Sequence, residues 1–272
     1  MLAKRRSSSL LMESGAPVAP LPERLRLLSF NIQVGIHTAR YREYLTRGWR
    51  QFVHDAGRPA NLDRIGTMLA DFDLVALQEV DAGSLRTGFA NQVAWLAARA
   101  QLPFWYAQRN RRFGRFAQHG NGLLAKVEPL QLDDHPLPST LPGRGAILAR
   151  FACPDGTPLL AISAHLSLGS VARARQLAWI AERVQGEKRV ILMGDLNSSV
   201  RQLLDHSALR RTALVPAPRH GMATYPSWQP RLDLDHVLLS PDLVVEEARV
   251  LRCHFSDHLP LAVVLRLPPA TS

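Results

Sequence analysis

The sequence predicts a layered α/β domain with mixed β-sheets, and three observations carry this prediction. Short aliphatic runs recur from residue 24 onward, and several end in Gly, Asn or Asp, which are signals that stop a strand. Segments with the apolar spacing of helices lie between some of these runs. Strands and helices do not alternate strictly, so a regular parallel barrel is not expected.

Eight strands are predicted from these runs. They cover residues 24–31, 73–79, 120–126, 145–151, 158–165, 189–195, 234–240 and 259–265. Aliphatic strands of this kind must be buried, so any polar residue at a strand end is informative.

Three helices are predicted, over residues 61–70, 90–101 and 170–185. The third places six apolar residues on one face, from Val171 to Val184, at helical spacing. We expect Asn61 and Ser170 to act as helix N-caps, because their side chains can accept a hydrogen bond from a free backbone N–H.

Residues 24–268 are expected to form a single domain, preceded by a flexible, basic and Pro-containing tail over residues 1–23. The tail resembles a signal peptide at first, but Ser7 to Ser9 and Glu13 interrupt its apolar part. No run approaches the roughly 18 apolar residues of a membrane span. We therefore expect a soluble, cytoplasmic protein, and we expect it to be a monomer.

The charge balance points to an anionic partner. Lys and Arg number 33 against 23 Asp and Glu, which gives a net charge of +10. Nucleic acid, a phosphorylated substrate or peripheral contact with an anionic membrane would each suit this excess. Apolar residues at 46% and charged residues at 21% exclude a disordered or fibrous chain. The two cysteines, Cys153 and Cys253, lack zinc-type spacing and are interpreted as small buried residues.

Polar residues end four of the predicted strands. Asn31, Glu79, His165 and Asp195 each close an aliphatic run, and Asn197 follows two residues after Asp195. Such residues converge on one rim of a sheet, where ligand sites of α/β proteins tend to lie. Two later segments add to this set, since Asp235 lies in a predicted strand and the pair Asp257 and His258 directly precedes another.

These residue types suit the hydrolysis of a phosphate ester. Carboxylate and amide oxygens from Glu79, Asp195, Asp257 and Asn31 or Asn197 are hard ligands that fit Mg²⁺ or Mn²⁺. The two histidines supply a hydrogen-bond donor and a general base. Each residue taken alone has a plainer explanation, as a turn former, a helix cap or a buried structural histidine. All of them together, at strand boundaries of one domain, favour a functional site.

The motifs carrying these residues resemble the endonuclease/exonuclease/phosphatase superfamily of magnesium-dependent phosphohydrolases. They occur in that superfamily's order: SFNIQVG, LVALQEVD, ISAHLS, ILMGDLNSS, LDLDHVLLS and FSDHLPLAVVL. The combination of GDLN and SDH is the most specific part, and the resemblance covers residues from about 25 to 267. It implies a four-layered α-β-β-α sandwich of two mixed sheets flanked by helices, with the site at one end.

The resemblance also implies roles for the matching residues. Glu79 corresponds to the principal metal ligand, with Asn31 beside it and Asp257 near the metal. Asp195 and Asn197 correspond to the pair that orients the attacking water and the phosphate.

The histidines and two further residues complete the implied site. His258 corresponds to the essential histidine, paired with Asp235, and His165 to a donor to the phosphoryl oxygens. Whether His258 or Asp195 accepts the proton stays open from the sequence. Asn121, in a Gly-Asn-Gly turn, and Arg144, just before a strand, are candidate substrate contacts.

The substrate class stays open between nucleic acid and a phospholipid headgroup. Residues 109–116 place four Arg and two Phe in a predicted loop that could grip an anion or be merely solvated. Gln33 replaces an acidic residue of several related nucleases, and 221–235 lacks their Arg-Ile-Asp, with Asp233 at the Arg position. The alternative function is a catalytically idle protein of this fold that binds phosphate or nucleic acid.

Overall fold

The computed structural model of the chain describes residues 9–11, 18–35, 58–83, 91–113, 117–140, 143–218 and 220–269. The strands in these ranges are β1 (Ser9–Leu11), β2 (Arg24–Asn31), β3 (Leu74–Asp81), β4 (Phe104–Phe113), β5 (Ala117–Ala125), β6 (Gln131–Pro136), β7 (Gly145–Ala152), β8 (Pro158–His165), β9 (Arg189–Asp195), β10 (Val215–Pro216), β11 (Asp235–Leu239), β12 (Val244–Val250) and β13 (Leu261–Arg266). The helices are α1 (Arg58–Leu69), α2 (Gln92–Ala100), α3 (Ser170–Val184) and α4 (Val200–Asp205), with 3₁₀ helices at Gln33–Gly35 and Ala208–Arg211.

The strands form two mixed sheets. The seven-stranded sheet has the order β1-β6-β7-β8-β9-β11-β10, and the six-stranded sheet has the order β12-β13-β2-β3-β5-β4. Each sheet contains one parallel pair, β8 with β9 and β2 with β3, among antiparallel neighbours. The predicted mixed sheets are therefore confirmed.

Three apolar clusters define four layers. One lies between the sheets, where Leu27 and Leu74 of the six-stranded sheet pack with Met193 of the seven-stranded sheet. A second joins the six-stranded sheet to α1 and α2, and a third joins the seven-stranded sheet to α3 and α4. Because both faces of each sheet are covered, central strands such as β9 are buried at every position. The chain is thus an α-β-β-α sandwich, as the family resemblance implied.

The parallel pairs bring the ends of four strands to one edge of the sandwich. Helix α1 lies between β2 and β3 along the chain, and α3 lies between β8 and β9, so each pair runs in one direction. The antiparallel strands β11 and β13 begin where β9 and β2 end, and Asp235 pairs directly with Asp195. Polar residues at these ends therefore share one rim.

Two predicted helix caps are wrong because tertiary contacts and local backbone decide otherwise. Asn61 lies inside α1, fully buried, and its side chain donates to the backbone oxygen of Phe255 at 2.8 Å. Ser170 is the first residue of α3, and Gly169 occupies the cap without a side-chain hydrogen bond. Side-chain caps form instead at α2, where Asn91 accepts from two backbone N–H groups, and at α4, where Ser199 accepts from the N–H of Gln202.

Two segments differ from the loose or looped conformation expected of them. Within 1–23, β1 pairs with β6, and Leu21 is buried in the inter-sheet core with its N–H bonded to the oxygen of Ala152. Within 109–116, the first five residues continue β4, and 114–116 lie outside the described residues. The division into a tail and one domain stays a prediction. Among the described helices, none has the length and hydropathy needed to cross a bilayer.

Candidate active site

The candidate site closes one end of the space between the two sheets. Alternate residues of each strand face this space, so β9 contributes Ile191 and Met193 to the apolar core and then Asp195 at the rim. In β8 the alternation continues through Ser163 to His165. Strand alternation thus turns an apolar interior into a polar rim within two residues.

His258 lies between two carboxylates. Its Nδ1 is 2.8 Å from Oδ2 of Asp235, and its Nε2 is 3.9 Å from Oδ2 of Asp195. Burial disfavours the charged imidazolium, but the negative charges of Asp235 and Asp195 outweigh burial and raise the pKa of His258 to about 10. His258 is therefore a cation at neutral pH, held in one orientation by Asp235.

Asp195 is held by hydrogen bonds from both sheets. Its Oδ2 accepts from the amide nitrogen of Asn31 at 3.1 Å, and its Oδ1 accepts from the backbone N–H of Asn197 at 3.1 Å. Burial raises the pKa of Asp195 to about 7, with the charge of His258 opposing and that of Asp235 adding to the rise. A carboxylate of this kind can exchange a proton near neutral pH.

His165 and Arg144 meet beside Asp195. The Nε2 of His165 lies 3.4 Å from Oδ2 of Asp195, and an Arg144 guanidinium nitrogen lies 2.7 Å from the His165 ring nitrogens. Arg144 directly precedes β7, the neighbour of β8. The structure therefore brings together two residues that the sequence places 21 positions apart.

Glu79 reaches the rim through a β-bulge. Regular alternation would turn residue 79 toward the helices, with Val75 and Leu77. A bulge between Gln78 and Val80 interrupts the pairing with β5, and Glu79 adopts a left-handed φ of 54°. Such a backbone is costly for a residue other than glycine, and strained positions of this kind cluster at functional sites.

Asp257 and Glu79 crowd negative charge at the same rim. Burial raises the pKa of Asp257 to about 6; the charge of His258 opposes this rise and that of Glu79 adds to it. The side chain of Asn31 adds a further oxygen at this rim. Its Oδ1 accepts from the backbone N–H of Gln33 at 3.1 Å, while its amide nitrogen donates to Asp195. Hard oxygen donors crowded in this way are suited to a divalent cation.

A second set of ligand atoms is also close enough to hold a metal. Those of Asp195, Asp235 and His258 lie within 4.8 Å of one another, and all three residues are buried. This set consists of residues expected to act on water and phosphate, whereas the expected metal ligands Glu79 and Asp257 lie outside it. A protonated His258 already supplies positive charge in this second set, whereas Glu79 and Asp257 offer only oxygen donors.

Two predicted site residues make contacts that tie the structure together. Asn197, with a left-handed φ of 49°, donates its side-chain amide to the oxygen of Leu166 at 2.9 Å. Asn121 is fully buried, and its amide nitrogen donates to Oε1 of Gln108 at 3.0 Å and to the oxygen of Gly145 at 2.8 Å. Both amide protons of Asn121 are thus used, and its substrate contact stays a prediction.

Sequence reasoning missed Thr224 and Tyr225. The hydroxyl of Thr224 donates to Oδ2 of Asp235 at 2.5 Å, and the Tyr225 ring centre lies 4.8 Å from that of His258. Both occur in the segment 221–235, whose departure from related sequences was the available signal. Thr224 thus holds the carboxylate of Asp235, and Tyr225 packs against the ring of His258.

Asp233, the unusual residue of that segment, has a structural contact. Its Oδ2 accepts from the backbone N–H of Val200, the first residue of α4, at 2.8 Å. Its backbone oxygen lies 2.9 Å from Nε2 of His236, whose pKa burial lowers. The unusual sequence therefore anchors a helix start behind the site.

Comparisons with known proteins identify the family of the chain and the fold that it shares with solved structures. A model of the "Endonuclease/Exonuclease/phosphatase family" matches residues 28–258. A comparison with curated protein sequences found no match.

Solved structures share the fold at low identity. An endonuclease/exonuclease/phosphatase from Beutenbergia cavernae is 19% identical with a TM-score of 0.70, over 91% of this chain and 72% of that one. The mannosyl-6-phosphatase Bt3783 of Bacteroides thetaiotaomicron is 20% identical with a TM-score of 0.64, over 89% and 99%. TDP2 of D. rerio, complexed with single-strand DNA product, is 17% identical with a TM-score of 0.63, over 90% and 99%.

Proposed function

Because the chain belongs to the endonuclease/exonuclease/phosphatase family, we propose that it is a metal-dependent phosphodiesterase that cleaves its substrate by attack of an activated water. The family supports the coarser statement, a hydrolase of phosphate esters. The observation that carries the proposal is the position of His258 between Asp235 and Asp195. A cationic donor beside a carboxylate that can exchange a proton is what attack of water on phosphorus requires.

We assign the metal site to Glu79, Asp257 and Asn31. Their donors are hard oxygens, and the repulsion between the two carboxylates would be relieved by a divalent cation. Mg²⁺ is our first choice and Mn²⁺ the second. When bound, the ion would stabilise charge on a phosphoryl oxygen and acidify a bound water.

Asp195 is our candidate for the group that accepts the proton of the attacking water. Its pKa of about 7 makes it a stronger base than an ordinary carboxylate while leaving much of it ionised at neutral pH. Asn31 and Asn197 hold its two oxygens in place. His258, already protonated, would instead donate to the phosphate, with Asp235 maintaining its charge and orientation.

Arg144 and His165 would hold the remaining phosphoryl oxygens. A guanidinium beside an imidazole offers several donors that match phosphate geometry. The net charge of +10 favours a substrate that is polyanionic or lies in an anionic surface. Nucleic acid and phospholipid headgroups both meet this condition. Peripheral membrane contact, the monomeric state and a cytoplasmic location stay predictions.

The alternative is an idle protein that binds phosphate or nucleic acid without turnover. It would keep a salt-dependent affinity for polyanions and would not need the site residues. The presence of Glu79, Asp195 and His258 together speaks against it.

The decisive experiment is a hydrolysis panel with Mg²⁺. The substrates are bis-p-nitrophenyl phosphate, abasic DNA, plasmid DNA, RNA, sphingomyelin, phosphatidyl headgroups, inositol phosphates and mannose 6-phosphate. Asp195→Ala and His258→Ala should abolish turnover, whereas Asp205→Ala, which changes an exposed carboxylate on α4, should not. Wild-type protein that binds polyanions but turns over none of these substrates would instead support the idle alternative.

A further inference from the structure

Four amide side chains form a row across the six-stranded sheet. Strand register places Asn31, Gln78, Asn121 and Gln108 side by side on β2, β3, β5 and β4. Each faces the space between the sheets, because alternate residues of the same strands, such as Leu27 on β2 and Ala76 on β3, belong to or pack on the inter-sheet core. All four are at most 2% exposed. The row lies at the level of the candidate site, since Asn31 contacts Asp195.

Three members of the row donate across to the seven-stranded sheet. Asn31 reaches Asp195 on β9 at 3.1 Å. Asn121 reaches the oxygen of Gly145, at the start of β7, at 2.8 Å, and Gln108 reaches the oxygen of Ala146 at 3.0 Å. These bonds join the two sheets just beneath the rim.

Gln78 is the exception. Among the described residues, neither its Nε2 nor its Oε1 has a hydrogen-bond partner, and Oδ1 of its neighbour Asn121 has none either. Leaving buried polar atoms unsatisfied costs about 1–3 kcal/mol each, so native proteins satisfy them with protein groups or with internal water. Three such atoms on adjacent strands are enough partners for one buried water.

The position of Gln78 in the row indicates what it faces. Asn31 on one side reaches β9, and Asn121 on the other side reaches β7. The strand between β9 and β7 is β8, and its residue at this level is His165, which pairs with Asp195. The side chain of Gln78 therefore lies across from the strand position of His165.

We propose that a buried water, hydrogen-bonded to the carboxamide of Gln78 and to Oδ1 of Asn121, lies beneath the His165 ring and holds it in place. Gln78 is thereby a positioning residue for His165. It fixes the ring between Asp195 and Arg144 without contacting the substrate itself. The effect on turnover rests on the proposed phosphoesterase function, whereas the water and the ring orientation do not.

The test compares Gln78→Met with Ser29→Ala. Methionine keeps the length of glutamine and removes both polar atoms. Ser29 is a matched control because its buried hydroxyl also has no partner among the described residues, but its register neighbours, Ala76 and Leu261, carry no amide. Each protein is crystallised to high resolution, melted, and assayed with Mg²⁺ on bis-p-nitrophenyl phosphate.

In wild type and Ser29→Ala we expect an ordered water between Gln78 and Asn121 and one orientation of His165. In Gln78→Met we expect the water to be lost, the ring of His165 to shift, and kcat to fall about 10-fold with KM within about twofold, as when a hydrogen-bond partner behind a functional residue is removed. The Tm should not fall by more than about 2 °C, because an apolar side chain replaces atoms that were costly to bury.

Absence of the water in wild type, or an unchanged kcat and His165 orientation in Gln78→Met, would overturn the inference. A lower Tm with unchanged kcat would indicate that Gln78 only packs. If no substrate is turned over by wild type, the proposed function fails, and the water together with the orientation of His165 decides the inference independently.

Discussion

The two ends of strand β9 hold charged residues in opposite ways. At its start, Arg189 lies 2.7 Å from both Asp155 and Asp242, so one cation satisfies two carboxylates. At its end, six residues later in the same buried strand, Asp195 lies among other carboxylates with His258 as the cation nearby. At the first end each carboxylate is bonded directly to Arg189, whereas at the second end several buried carboxylates share the charge of His258.

The pKa values of two aspartates express this difference. The hydrogen bond from Arg189 lowers the pKa of Asp155 to about 2, whereas burial raises the pKa of Asp195 to about 7. Burial is the largest cause of the raised pKa of Asp195, whereas at Asp155 the hydrogen bond from Arg189 outweighs the effect of burial. Neighbouring carboxylates add to the rise at Asp195. A pKa perturbed in this way marks a candidate active site.

The largest expected effect is a loss of activity on substitution of Asp195, at the end of β9. Asp195→Asn should lower kcat/KM by about 10³-fold, because it removes the proposed proton acceptor while keeping the side-chain shape. The Tm should stay equal or rise, since a carboxylate that is costly to bury is gone. Hydrolysis of bis-p-nitrophenyl phosphate and thermal melting measure the two quantities. A folded variant with wild-type kcat/KM would remove Asp195 from the mechanism.

The second prediction concerns the start of β9, where a substitution should lower stability and leave activity unchanged. Asp155→Asn should lower the free energy of unfolding by about 2 kcal/mol, the amount typical for losing a hydrogen bond to a charged group. Its kcat should stay that of wild type, because Arg189 lies at the opposite end of the strand. Urea unfolding and the same assay test both statements. An activity loss without a stability loss would contradict the contrast between the ends.

The pH dependence of stability sharpens the contrast. Because folding lowers the pKa of Asp155 from about 4 to about 2, its contribution is present above pH 4 and is lost as the pH falls from about 4 to 2. The difference in stability between wild type and Asp155→Asn should therefore shrink over that window. Urea unfolding at a series of pH values measures it. A difference that stays constant down to pH 2 would show that the ion pair contributes nothing.

The smallest expected effect concerns cation binding at the end of β9 where several carboxylates share the charge of His258. Millimolar Mg²⁺ should raise the Tm of wild type by a few degrees, corresponding to about 1 kcal/mol of ligand stabilisation. Glu79→Gln should abolish the rise, and Asp155→Asn should retain it. Thermal melting with Mg²⁺ or EDTA makes the comparison. An equal rise in all three proteins would place the cation elsewhere.

Much of the candidate site could be predicted because it lies at strand ends. Asn31, His165 and Asp195 close aliphatic runs, and the alternation of side chains then brings them to the same side of a sheet. Glu79 was also predicted from its place at a strand end, but regular alternation would have turned it toward the helices, and the bulge explains its position.

Other features depended on residues distant in sequence. Asn61 carries a cap-like side chain, yet a backbone oxygen 194 residues away engages it instead. Thr224 and Tyr225 gain their importance from contact with Asp235 and His258, and no local pattern marks that contact. The amide row likewise becomes visible only when four strands are placed in register.

The sequence by itself determined which residues could take part and in which layers they would lie, because strand periodicity and strand ends are local properties of a chain. The tertiary structure decided which of them meet and which carry a proton. Distances such as the 2.8 Å between His258 and Asp235 arise from strand pairing over long separations. The pKa of Asp155 and that of Asp195 diverge for the same reason, since burial and neighbouring charge exist only once the sheets have packed.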